Sequence, residues 1–80
     1  MANPTELEIQ VLHAICESAR QLNSCAALSL RQRLMVALIL NRWDWLWEMD
    51  HSILMAIEKL SSGNLNLVFE VERMYYRDRT

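Results

Sequence analysis

One glycine and one proline in 80 residues leave this chain almost without turn-forming residues. An all-β domain, with its many tight turns, is therefore excluded. With two cysteines, Cys16 and Cys25, it has too few for the disulfide framework of a small secreted domain. Both read as small buried hydrophobes of a reducing compartment. No apolar run approaches the ~20 residues that span a bilayer, the longest being Leu34 to Leu40. Residues 1–6 show no basic start leading into an apolar stretch, so a cytoplasmic protein without signal peptide or membrane partner is expected. A Gly-rich phosphate loop is excluded, since Gly63 stands alone. There is no basic excess either: ten acids face eight bases, for a net charge of −2.

What the chain does have is apolar substance. At 52% hydrophobic it is too apolar and too weakly charged for disorder. Eighty residues make one domain, read as 1–80, and a domain this small must use its core efficiently. The charge is segregated. Arg20, Arg31, Arg33 and Arg42 precede the acids Asp44, Glu48, Asp50 and Glu58, and Arg73, Arg77 and Arg79 close the chain.

The periodicity predicts an all-α fold, a compact bundle of three to four short helices over about 4–22, 30–41, 44/50–61 and 66–77. Asn3, Pro4 and Glu6 read as the cap and first turn of the first helix, followed by the stripe Leu7, Val11, Leu12, Ile15, Ala19 and Leu22. Asn23-Ser24 reads as its stop. Ser29-Leu30-Arg31-Gln32 is a capping box opening a second helix, whose stretch Leu34–Leu40 is apolar all round, as in a helix surrounded by protein. A third stripe runs Leu46, Met49, Ile53, Ile57, Leu60, starting near Asp44 or, with Asp50 as cap, after Asp50; Gly63 is the expected left-handed terminator. Residues 64–72 alternate like a strand. With no partner strand in sight, a helix bearing Val68, Val71 and Tyr75 on one face is preferred.

Catalytic and cofactor chemistry find little support. His13, Cys16, Cys25 and His51 are the only His and Cys residues, and they lack zinc spacing. A cysteine nucleophile would need a thiolate-stabilising setting and an orienting third group. Asp44/Glu48 and Glu70/Glu72 read as solvated helix faces. No enzyme activity, metal or cofactor is expected.

Three tryptophans within five residues, Trp43, Trp45 and Trp47, are the most informative feature. On one continuous helix Trp43 and Trp45 fall roughly 80° to either side of the core stripe and Trp47 roughly 120° away. Trp43 and Trp45 are thus expected at the core edges and Trp47 toward a partner. Asp44, Glu48 and Asp50 are expected as a polar rim suited to a basic partner, with Met55 adding an adaptable contact. Tyr75, Tyr76 and Arg77 form a second candidate patch.

Short, acidic, helical, rich in Trp and Met and without a catalytic constellation, the chain resembles in style the small inhibitor and adaptor proteins of phages and other mobile elements. The expectation is a non-enzymatic module that binds a surface of another protein, with a homodimer as a further possibility. The alternatives are a small DNA-binding regulator using the Arg patches, against which the acids of the third helix count, and a structural homodimer.

Overall fold

In the computed structural model, which describes residues 4–77, five helices follow one another: α1 (Glu6–Leu22), α2 (Leu30–Ile39), α3 (Trp43–Glu48), α4 (Ile53–Lys59) and α5 (Ser62–Arg77). The side chain of Arg77 lies outside the described part. The all-α class is as the periodicity predicts. The stretch expected as one third helix is two short ones.

The helix starts are written in hydroxyl residues. Thr5 caps α1, its Oγ1 accepting from the Glu8 N–H while the Glu8 carboxylate accepts from the Thr5 N–H. The cap is therefore Thr5 rather than Asn3, which lies outside the described residues. Ser29 and Gln32 form the expected reciprocal box at α2. Ser52, and not Asp50, caps α4. The Ser61 hydroxyl accepts from the Asn64 N–H, so α5 begins at Ser62, four residues earlier than expected. Each hydroxyl satisfies a backbone donor that the first turn would otherwise leave unpaired.

Three helix ends share one device. Asn23, Asn41 and Asp50 adopt left-handed backbone, with φ of 54°, 58° and 57°. After each, the next N–H reaches back to a carbonyl of the last turn: Ser24 to Ala19, Arg42 to Ala37 and His51 to Leu46. Glycine usually supplies this conformation, and Asn and Asp are the side chains that tolerate it best. Gly63 has no part in it. It sits inside the first turn of α5 with negative φ.

α2 is the hub and contacts α1, α3 and α5. Leu34, Met35, Val36, Ala37 and Ile39 are all buried, which explains why α2 from Leu34 onward carries no polar residue. On α1 the buried stripe is Leu12, Cys16 and Ala19, flanked by half-buried Ile9 and Ile15, while Leu7, Val11 and Leu22 are exposed. On α5 Leu67, Val68, Val71 and Tyr75 face inward, the helical reading of that segment. α4 buries little. Ala56 points into the core, whereas Ile57, expected there, is exposed because the break at 49–52 rotates α4 relative to α3.

Candidate interaction surface

α3 has only six residues, so each of its faces is one turn deep. Residues three and four apart lie together on a helix, which groups Trp43, Leu46 and Trp47 and sends Trp45 to the other side. Trp45 is 4% exposed, Trp43 55% and Trp47 77%. Of the two indoles expected at the core edge, then, Trp45 is buried and Trp43 stands largely in solvent.

The left-handed turn at Asp50 folds the chain back, laying α4 beside α3. Between them runs a cleft of about 360 Å³ lined by Trp43, Leu46, Trp47, His51, Ser52, Ile53 and Leu54. Leu46 is buried and forms its floor, and Leu54, 72% exposed, forms the wall opposite the indoles. No charged side chain lines it. The Trp43 indole N–H donates to the Asn41 Oδ1 at 2.7 Å, which holds that ring at the edge of the cleft. His51 Nδ1 lies 2.6 Å from the Met49 carbonyl, and since a carbonyl can only accept, Nδ1 donates there. Its Nε2 is buried and meets no hydrogen-bond partner among the described residues.

The acids expected to rim the indoles are arranged otherwise. Asp44 is engaged by Arg42 through two parallel bonds, Nε to Oδ1 at 3.0 Å and Nη2 to Oδ2 at 2.8 Å. The guanidinium bonded to Asp44 holds its carboxyl below the ordinary range. The same guanidinium donates to Asn23 Oδ1 at 2.7 Å and lies 4.2 Å from the centre of the Trp45 ring. Glu48 lies on the far side of α3, in a polar groove of about 310 Å³ shared with Arg33, Cys25 and Trp45. Glu48, three residues on from Trp45, shares its side of α3, while the Asp44 carboxylate is taken up by Arg42. Asp50 is exposed at the turn between the two helices. Met55 is exposed on α4, in a shallow depression with His51, Glu58 and Lys59 that meets the cleft at His51.

Of the second expected patch, the Tyr75 and Tyr76 rings adjoin, their centres 5.9 Å apart, but they face different ways. Tyr75 is buried against α1, its ring centre 5.1 Å from that of His13 and its hydroxyl accepting from Arg20 Nε at 3.2 Å. Burial pushes the phenol's pKa up. Tyr76 points outward. Arg77 places no described side chain beside either. His13 is half-buried by its contact with the Tyr75 ring.

Leu54, Leu46 and Ile53 belong to the surface and were outside the expected site. The helical wheel does place Leu54 on the Trp47 side. The signal for the other two is the break at Asp50, which brings the start of α4 next to α3. Elsewhere, Phe69 is exposed beside Pro4, Ile9 and Arg73 in a more polar depression between α1 and α5.

Cys16 is fully buried, and desolvation pushes its thiol up to about 12. Cys25 is also buried, its thiol raised by the same cause. Neither has the lowered pKa of a nucleophile. Among the described residues no three His, Cys, Asp or Glu side chains are grouped as metal ligands, and no helix is long and apolar enough to cross a membrane. No family model, no curated protein and no solved structure matches the chain.

Proposed function

We propose that this protein is a small non-enzymatic interaction module, of inhibitor or adaptor type, that binds a surface of another protein through the α3–α4 cleft. The observation that carries the reading is the exposure of Trp47, Trp43 and Leu54 around one uncharged cleft. These large side chains stay in water although Trp45, two residues from each indole, is buried in the core. Contiguous exposed aromatic and aliphatic surface of this kind marks binding sites, and Trp is the residue most enriched at their energetic centres.

The arginines give less support to DNA binding. Arg20 is bonded to Glu17 and Tyr75, Arg31 to Asn64, Arg33 to the Leu28 carbonyl, Arg42 to Asp44 and Asn23, and Arg73 to Glu70. Phosphate contacts would have to compete with these partners.

The test compares the wild type with Trp47→Ala/Leu54→Ala as bait in lysate of the source cells, followed by affinity measurement on the purified captured protein. The expected outcome is a partner whose affinity falls at least about tenfold with the double variant. A partner bound equally by both overturns the reading.

A further inference from the structure

We infer that the occupant of the α3–α4 cleft is a basic amphipathic helix of a partner protein, an inference that rests on the functional reading above. The cleft supplies the apolar half of the argument. Two short helices meeting at a tight turn leave a groove floored by Leu46 and walled by Trp47 and Leu54. Such a groove accepts one apolar helix face, anchored by side chains three and four residues apart.

Charge decides between occupants. Of the four acids from Asp44 to Glu58, Asp44 is neutralised by Arg42. Glu48, Asp50 and Glu58 make no ion pair among the described residues. Lys59 is the one base on these two helices. Asp50 is exposed in the turn that joins the two helices, next in the chain to His51, which lines the cleft. Glu58 is one helical turn beyond Leu54 and shares with His51, Met55 and Lys59 the depression that continues the cleft. Glu48 lies across the helix in the groove it shares with Arg33, so the negative charge beside the cleft is that of Asp50 and Glu58.

A second copy docked about a twofold axis would set this surface against itself and bring like charges together. An acidic partner meets the same repulsion. A helix with Leu-type anchors on one face and Lys or Arg beside them fills the groove and pairs with Asp50 and Glu58.

The probe is a synthetic amphipathic helix of roughly four turns, Leu on one face and Lys on the other, against the same peptide with Glu for Lys. Binding is read by the shift of Trp emission and by calorimetry, in low and physiological salt. The proteins are the wild type, Asp50→Asn/Glu58→Gln, and the control Glu6→Gln/Glu72→Gln, which removes equal charge elsewhere. Asn suits position 50 because it tolerates the left-handed backbone. Saturable binding of the Lys peptide is expected, at least about tenfold tighter than the Glu peptide and weakened about tenfold by the Asp50/Glu58 pair and by salt, but not by the control pair. Equal weakening by both pairs overturns the inference, as does self-association of the protein through Trp47. Trp47-dependent binding that ignores the peptide's charge overturns the basic occupant and leaves the protein-binding reading standing. Binding of neither peptide overturns the inference too, while the reading itself stands or falls by the captured partner.

Discussion

The guanidinium of Arg42 stacks on the ring of Trp45, 4.2 Å from its centre, while its nitrogens hold Asp44 and Asn23. One side chain thereby ties the end of α1 to the corner between α2 and α3. It also fixes the rotation of α3: with Trp45 held inward, Trp43 and Trp47 have only the solvent side left to occupy.

Arg42→Ala is therefore expected to lower the urea midpoint, with Arg42→Lys recovering only part of the loss. An ammonium can stack over an indole but cannot bond both carboxylate oxygens in the planar, two-pronged way. The pH dependence carries the same signature. The Asp44 carboxyl is lowered in the folded state, so its contribution is present above the unfolded pKa and is lost as pH falls through the lower folded one. Acid titration of stability should show a smaller drop in Arg42→Ala than in the wild type.

The three indoles should separate sharply by mutation. Trp45→Ala opens the core and should cost about 3–5 kcal/mol, a large part of the stability of a domain this size. Trp45→Phe, which keeps a ring at the site, provides the folded comparison. Trp47→Ala should stay within about 0.5 kcal/mol of the wild type. Denaturation measures both, and acrylamide quenching of single-Trp variants should find Trp47 and Trp43 accessible and Trp45 protected.

Cys16 should be chemically silent until the protein opens. With its thiol pushed up to about 12, only about one molecule in ten thousand carries the thiolate at pH 8. Labelling by a disulfide reagent should therefore follow the unfolding rate. A thiol whose folded pKa is raised stabilises fully below its unfolded value near 9.0, and that contribution is lost as pH rises from there toward about 12. The alkaline slope should reach up to about 1.4 kcal/mol per pH unit and become shallower in Cys16→Ala.

Backbone substitutions should reverse the usual assumptions about glycine. A methyl group at Gly63 would meet only the Ser61 Oγ, at 3.9 Å, and the residue is helical. Gly63→Ala should stabilise by about 0.5 kcal/mol through lost unfolded-state freedom. At Asp50, with φ of 57°, Gly should be tolerated, whereas Val should cost about 1–2 kcal/mol. Thermal midpoints of the three variants decide the point.

Much of this was legible locally. Ser29 and Gln32 cap α2 as the sequence pattern says, and the inward face of α5 is the one that Val68, Val71 and Tyr75 mark out. Caps and periodicity depend on neighbours three or four residues away, which the sequence displays. Reading Asp50 as a cap and Gly63 as a terminator failed for a related reason. Asn and Asp serve both ends of a helix, and only the position of the hydrogen-bonded turn tells which end is meant.

The cleft was not legible in the same way. A continuous helix over Trp43–Leu60 places the indoles around one wheel and assigns Asp44 and Glu48 to their rim. The left-handed break at Asp50 cancels that wheel, and the partners of Asp44 and Tyr75 come from Arg42 and from α1. By itself the sequence determined the all-α class, the central burial of the apolar stretch that starts at Leu34 and the concentration of large apolar residues between Trp43 and Met55. Which indole is buried, which acids remain unpaired and where the groove opens were decided by tertiary structure. Those outcomes depend on how α3 is rotated against α2, and that rotation is set by contacts between residues as distant in the chain as Asn23 and Arg42.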